Sequence, residues 1–179
     1  MGIESIQSRI AQIEAGFASL TPPAPPAPTA PNGVFQAAMN QAAMPADDIA
    51  PSGVSVSGFS RDVLRAIGAP ETASNMQAMS AWVKSEGTKA TFNPLATCRA
   101  APGASDMNSV GVKNFVSYEQ GVHTTVGAIQ NGLYQKVITA LRRGDDAYAV
   151  ADAIEASPWG TGGLVRSVLR SRGVSEKSS

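Results

Sequence analysis

The spacing of apolar side chains in the C-terminal part of the chain predicts a succession of short helices. Apolar residues recur three and four positions apart, and capping residues or Gly and Pro bound each run. Six helices are predicted. The first is capped by Ser60 and ended by Gly68, the second runs from about Glu71 to Glu86, and the third opens with Ser117 and Gln120 as a capping box. The fourth carries Leu133, Val137, Ile138 and Leu141 up to Gly144, the fifth covers residues 147–156 after Asp145 or Asp146, and the sixth covers residues 164–171. No segment alternates as a strand does, so we expect an all-α, compact helical domain.

The N-terminal part of the chain has a different pattern. Apolar residues three and four apart form the seam of a short coiled coil or amphipathic helix, at Ile3, Ile6, Ile10, Ile13, Phe17 and Leu20. A segment rich in Pro and Ala follows, which is typical of a semi-rigid linker. The chain therefore divides into a helix at residues 1–20, a linker at 21–56, a helical domain at 57–172 and a tail at 173–179 that we expect to be disordered. Self-association, partner binding and a frayed helix remain open for residues 3–20.

Composition excludes several classes of function. The formal net charge is zero, whereas a dedicated nucleic-acid binder usually has a basic excess on one face. One Cys and one His cannot supply an internal disulfide or the four ligands of a structural zinc site, and we expect no metal or other cofactor. No apolar run approaches the length of a membrane span, and the N-terminus lacks the features of a secretory signal.

The candidate chemistry centres on Glu86, which is placed where a helix should end and a polar loop begin. The segment Ser85, Glu86, Gly87, followed by Asn93 and Pro94, resembles the E-S-G…N-P signature of soluble lytic transglycosylases. Ser85 precedes Glu86 here instead of following it, and the G-A-x-G-L-x-Q segment of that branch has no clear match. Carried over, the signature makes Glu86 the catalytic acid.

A second motif lies downstream of the loop. It is similar to the N-N-x-F-G-I-K…F-x-x-Y-[DE]-S pattern of flagellar-type N-acetylglucosaminidases, and it consists of Asn108, Val110, Gly111, Val112, Lys113, Phe115, Tyr118 and Glu119. Both branches belong to the lysozyme-like superfamily of peptidoglycan-cleaving enzymes, and the resemblance covers roughly residues 57–165. It implies a lysozyme-like fold and cleavage of peptidoglycan glycan strands, with lyase and hydrolase chemistry both open.

The chemistry of glycoside cleavage gives its own reasons for these choices. It needs a carboxylic acid that keeps its proton near neutral pH, which an apolar surrounding provides. We expect an apolar wall next to Glu86, because four apolar residues precede it at helical spacing: Met76, Met79, Trp82 and Val83. Most glycosidases use a second carboxylate, and Asp106 and Glu119 are the acids within the resembling loop and the start of the next helix. Glu119 lies on the motif and is the better second candidate.

Four other residues are candidates for substrate binding: Asn93, Asn108, Tyr118 and Trp159. Trp159, in a turn of Pro and Gly, is better placed than Trp82 to stack on a sugar ring, and core packing is the alternative for both. Tyr118 would orient the substrate or the acid, or would place its hydroxyl at the edge of the core. Asn93 and Asn108 are alternatively turn residues.

Three alternatives stand beside glycan cleavage. Glu86 would otherwise be a solvated side chain in the last turn of a helix ended by Gly87. Cys98 and His123 would form the dyad of a thiol peptidase, although no local signature surrounds them. A non-catalytic lysozyme-like adaptor or glycan-binding module of a flagellar or phage tail assembly would use the same fold. We expect export by a route other than a secretory signal, such as flagellar export or a phage particle.

Overall fold

A computed structural model describes residues 48–176 of the protein. This part of the chain is mostly helical, as predicted, and contains six helices and one two-stranded antiparallel ladder. The elements are α1 (Val56–Ile67), α2 (Ala73–Glu86), β1 (Ser105–Asp106), β2 (Lys113–Asn114), α3 (Tyr118–Ile129), α4 (Gln135–Arg143), α5 (Ala147–Glu155) and α6 (Gly162–Ser171). The helix predicted at residues 1–20, most of the linker and the last three residues of the tail lie outside the described residues.

Helix ends follow local side-chain chemistry. As predicted, Gly68, Gly87 and Gly144 have left-handed backbone angles and end α1, α2 and α4. Asp146 caps α5 by accepting the N–H groups of residues 148 and 149. The capping box of α3 forms in part, because the Ser117 hydroxyl accepts the Gln120 N–H at 3.2 Å.

Some helix starts differ from the prediction. Ser60 is not a cap, since α1 begins four residues earlier with Ser55 accepting the Gly58 N–H. Ser60 is buried inside α1 and donates to the Val56 carbonyl at 2.7 Å. Helix α2 was predicted to begin at about Glu71; it begins at Ala73 and is capped by Thr72. Leu133 precedes α4 and is exposed.

The domain is longer at both ends than predicted. Ala50 and Val54 are only 5% and 3% exposed, so the packed domain includes residues that composition assigned to the linker at 21–56. At the other end, the Val174 carbonyl accepts the Tyr148 hydroxyl at 2.8 Å, and Glu176 pairs with Arg166. These contacts place residues 173–176 on the domain surface and correct the predicted boundary at 172.

Helix α2 occupies the centre of the domain. It packs against α1, α5 and α6, and its side chains Met76, Met79 and Trp82 are essentially inaccessible to solvent. Helix α6 begins in very close contact with α5, since a Cβ atom on Gly162 would lie 2.0 Å from the Ala151 carbonyl oxygen. This close approach holds the start of α6 against α5. No helix within residues 48–176 is long and apolar enough to cross a lipid bilayer.

Candidate active site

Glu86 is the last residue of α2 and is held by two donors from the turn between α5 and α6. Its Oε1 accepts a hydrogen bond from the Trp159 indole Nε1 at 3.0 Å and one from the Thr161 hydroxyl at 2.8 Å. Both bonds go to the same oxygen, and Oε2 has no hydrogen-bond partner within residues 48–176. The half-buried carboxylate is therefore fixed in orientation while one of its oxygens remains free.

The turn that carries these donors is built from local interactions. The Ser157 hydroxyl donates to the Ile154 carbonyl at 2.7 Å and accepts the Trp159 N–H at 3.2 Å. Gly160 has a positive φ of 68°, which only glycine adopts without strain. Thr161 occupies the N-cap position of α6, where a Thr hydroxyl usually accepts a helix N–H, but it makes no such bond. Its hydroxyl donates to Glu86 instead.

Three aromatic rings meet beside the carboxylate. Trp159 packs edge-to-face against Trp82 at a centroid distance of 4.8 Å and against Tyr134 at 5.5 Å. Trp82 is completely buried, so it is a core residue and cannot stack on a sugar ring. Trp159 is half-buried and reaches the surface.

Trp159 also lines a groove, which we call the Trp159 groove. Its volume is about 410 Å³, and its walls come from the loop after α2, from the α3–α4 connection and from the α5–α6 turn. Its lining residues include Thr97, Cys98, Arg99, Asn131, Tyr134 and Trp159. Glu86 is not itself a lining residue; it adjoins the groove through its hydrogen bond to Trp159.

Asn93 shapes one wall of the Trp159 groove. Its side-chain amide donates to the carbonyls of Thr97 and Lys113 at 2.9 and 2.6 Å and accepts the Thr97 N–H at 2.9 Å. Phe92 and Ala96, on either side of it, have positive φ angles of 54° and 52°, a conformation that is strained for residues with side chains. Because Asn93 is 0% exposed, it cannot bind substrate as predicted; it supports the loop that carries the groove residues.

Glu119 and Tyr118 lie in a different groove. The Tyr118 groove has a volume of about 290 Å³ and is lined chiefly by apolar side chains of α1 and α3, together with Asp62, Tyr118, Glu119 and His123. The Tyr118 hydroxyl donates to Asp62 at 2.7 Å. Burial, reinforced by the hydrogen bond to Asp62 and by its negative charge, raises the pKa of Tyr118.

Glu119 is exposed in the first turn of α3. Its own backbone N–H, followed by the Ser117 hydroxyl, lowers the pKa of this carboxyl by bonding to its charged form. Glu86 does not line the Tyr118 groove, and no hydrogen bond links it to Glu119 in the part of the chain that the structure describes. The structure therefore does not bring the two predicted carboxylates together.

The remaining candidates occupy separate places. Asn108 is an exposed turn residue between β1 and β2, where its side chain accepts the Val112 N–H at 3.1 Å. Cys98 lines the Trp159 groove and His123 lines the Tyr118 groove. No hydrogen bond joins these two side chains within the described range, so they do not form the dyad of a thiol peptidase.

Sequence reasoning missed four residues of the site: Arg99, Asn131, Tyr134 and Thr161. Asn131 and Tyr134 lie in the connection between α3 and α4. Thr161 follows the Pro–Trp–Gly turn that identified Trp159 as a cleft candidate, so its position was a signal for it. No sequence signal pointed to Arg99, because its place in the groove depends on contacts between distant segments.

Residues 48–176 contain no group of three or more His, Cys, Asp or Glu side chains placed to hold a metal ion. A scan of protein-family models, a search of curated proteins and a search of solved structures each found no match for the chain. The case for a function consequently depends on the geometry of the site.

Proposed function

We propose that the protein cleaves the glycan strands of peptidoglycan, with Glu86 as its single catalytic carboxylate, in a lysozyme-like helical domain. The observation that carries this proposal is the arrangement at Glu86. Two neutral donors hold Oε1, the other oxygen has no protein partner among residues 48–176, and an aromatic groove adjoins the carboxylate through Trp159.

This arrangement suits a general acid. In glycoside cleavage the acid transfers its proton to the leaving-group oxygen as the bond from that oxygen to the anomeric carbon breaks, and an oxocarbenium-like charge develops on the sugar. Oε2 of Glu86 is the oxygen left for this proton. The bonds from Trp159 and Thr161 keep the carboxyl group in one orientation, which general acid catalysis requires.

The absence of Glu119 from the site favours a mechanism with one carboxylate. In the second half of such a reaction, the ionised Glu86 accepts a proton from the group that attacks the anomeric carbon. If that group is a hydroxyl of the same sugar, the product has an anhydro ring; if it is water, the product has a reducing end. Both outcomes conserve the proton and need no cofactor.

The groove offers the contacts that a sugar chain needs. The rings of Trp159 and Tyr134 provide faces on which sugar rings stack. Asn131 is exposed, and its side-chain oxygen accepts the Leu133 N–H at 2.9 Å, which leaves its amide N–H groups free for an acetamido carbonyl. The volume of about 410 Å³ lies in the range of pockets that bind small ligands.

The test separates loss of the acid from loss of the contacts around it. Glu86→Gln keeps an oxygen that accepts the bonds of Trp159 and Thr161 but has no acidic proton, whereas Glu86→Ala loses both. Glu155→Gln is the matched control, because Glu155 is also at the α5–α6 turn, where it accepts the Gly163 N–H at 2.8 Å. Fragments released from purified peptidoglycan are identified by mass spectrometry.

We expect wild type and Glu155→Gln to release fragments and both Glu86 variants to release almost none. Anhydro ends would identify a lytic transglycosylase and reducing ends a hydrolase. Equal release by wild type and Glu86→Gln would refute the catalytic role of Glu86. No release by any protein would refute the enzyme proposal and favour a glycan-binding or adaptor role.

A further inference from the structure

We propose that Arg99 makes the Trp159 groove selective for an acidic glycan by pairing with a carboxylate that the strand carries. This inference rests on the proposed function, since it concerns the same groove. A carboxylate of this kind belongs either to the lactyl group of a muramoyl residue or to an attached stem peptide. A neutral polymer of N-acetylglucosamine has neither.

Among the described residues that line the Trp159 groove, Arg99 is the only charged one. Within residues 48–176 it forms no ion pair, whereas other arginines of the domain, such as Arg65 and Arg166, pair with acids. The only side-chain hydrogen bond of Arg99 in this range runs from Nη1 to the Gly127 carbonyl at 3.1 Å. Its Nε and Nη2 donors are therefore left for a ligand.

A glycine on α3 creates the place where this guanidinium lies. A Cβ atom on Gly127 would be 3.1 Å from the Arg99 Nε and 3.3 Å from its Cζ, which is closer than ordinary van der Waals contact. Glycine in a helix interior destabilises the helix compared with alanine. The close packing on Arg99 gives a physical reason for glycine at this position.

The backbone of Arg99 is also held. Its N–H donates to the Thr97 hydroxyl at 3.3 Å, and Thr97 is in turn bonded to the buried amide of Asn93. Arg99 is thus fixed at its backbone by the loop after α2 and at its side chain by α3. A guanidinium held in this way loses little additional conformational freedom when it binds.

The chemistry of guanidinium indicates the ligand. Two of its N–H groups match the two oxygens of a carboxylate, and such charge-assisted bonds are stronger than bonds between neutral groups. Trp159 connects the groove to Glu86, so a sugar stacked there places its neighbour along the groove that Arg99 lines. The carboxylate of an acidic strand has a partner in this groove, and a neutral strand leaves Arg99 without one.

The test compares three substrates: strands with intact stem peptides, strands stripped of peptides by an amidase, and neutral chitin oligosaccharides. We expect kcat/KM of the wild type to be higher for an acidic strand than for chitin, by about 10-fold to 100-fold for one charge-assisted pair.

Arg99→Gln should abolish this preference, and Arg99→Lys should restore it only in part. Arg170→Gln, at an exposed position on α6, is the control. Preference for intact strands identifies the peptide carboxylate, and preference for stripped strands identifies the lactyl group.

Gly127→Ala provides a variant that separates recognition from folding. Alanine should stabilise α3 and displace the Arg99 side chain, so we expect thermal stability to be kept while the preference for acidic strands decreases. Wild-type preference that persists in Arg99→Gln would overturn the inference and leave the proposed function intact. Affinities of Glu86→Gln, with and without Arg99→Gln, for intact strands, stripped strands and chitin keep the test independent of cleavage. Equal affinity of the two proteins for stripped and for intact strands would also overturn it.

Discussion

Two grooves of the domain each have a candidate carboxylate in or beside them, and these two carboxylates lie at opposite ends of helices. Beside the Trp159 groove, Glu86 is at the C-terminal end of α2, and its donors come from the distant α5–α6 turn. In the Tyr118 groove, Glu119 is at the N-terminal end of α3 and is bonded by its own N–H and by the adjacent Ser117. One carboxylate is stabilised by tertiary structure and the other by its own helix.

This difference explains why similar residue types suit different roles. The helix dipole stabilises an anion at the N-terminal end, so Glu119 remains ionised and supports the start of α3. At the C-terminal end the dipole disfavours an anion, and Glu86 is kept there by Trp159 and Thr161. Glu86 is the carboxylate whose orientation distant residues fix, and it is the one that we propose for proton transfer.

The largest expected effect contrasts Glu86→Gln with Glu119→Gln. Loss of a general acid lowers kcat by about 100-fold to 10,000-fold, and we expect Glu86→Gln to fall in this range. Glu119→Gln should stay within about twofold of wild type because it lies in the other groove. Initial rates of glycan release from purified peptidoglycan measure both. A loss in Glu119→Gln comparable with that in Glu86→Gln would show that the comparison between the grooves is wrong.

A smaller effect comes from removing one hydroxyl donor from each groove. Thr161→Val keeps the shape of the side chain but loses the 2.8 Å bond to Glu86, and we expect kcat to fall by about tenfold, as for one bond to a charged group. Tyr118→Phe loses the 2.7 Å bond to Asp62 and should leave kcat unchanged. Steady-state kinetics on a soluble glycan, with KM determined separately, would reveal this contrast. Unchanged kcat in Thr161→Val would show that the hydrogen bond from Thr161 to Oε1 of Glu86 does not contribute to catalysis.

Tyr118→Phe should instead affect stability. Loss of its hydrogen bond costs about 1 kcal/mol in the free energy of unfolding at neutral pH. The pKa of Tyr118 is raised above its unfolded value of about 10, so the stabilisation is present below pH 10 and is lost as pH rises towards the folded pKa. Urea unfolding between about pH 8 and about pH 11, a range that spans the unfolded pKa of tyrosine, should show a smaller alkaline decline in the free energy of unfolding for Tyr118→Phe than for wild type. Parallel declines would contradict the raised pKa.

The smallest expected effect is the loss of folding stability at acidic pH that depends on Glu119. Its pKa is lowered in the folded protein, so its stabilisation is present above the unfolded pKa of about 4.3 and is lost as pH falls through the folded pKa. Ser117→Ala removes one of the two donors and should reduce this acid-dependent loss, and Glu119→Gln should remove it. Thermal unfolding between neutral and acidic pH measures the difference. If the melting temperatures of wild type and Glu119→Gln fell equally with decreasing pH, Glu119 would not stabilise the start of α3.

Helix boundaries could be predicted because their causes are local. Gly68, Gly87 and Gly144 end helices since only glycine enters the left-handed conformation cheaply, and Asp146 begins one by accepting nearby N–H groups. The error at Ser60 has a local cause too, because Ser55 was hidden in a stretch assigned to the linker by its composition.

The site could be predicted only in part. Glu86 was identified by its position at a helix end and by the resemblance of its flanking residues, and Trp159 by its turn. Their hydrogen bond could not be predicted, because it joins residues 73 positions apart through the packing of α5 and α6 on α2. Asn93 was assigned to the substrate because a motif shows which residue is present but not whether it is buried.

The separation of Glu86 from its donors also has a kinetic consequence. Helix α2 has its own cap and its own glycine stop, so it can form early from local interactions. The bonds to residues 159 and 161 span 73 and 75 positions, and contacts so distant in sequence require closure of a large loop. In refolding we therefore expect the carboxylate to be oriented in the last step, when α5 and α6 dock. A chain that has formed all six helices but has not yet completed this docking would be helical by circular dichroism and would still lack the site.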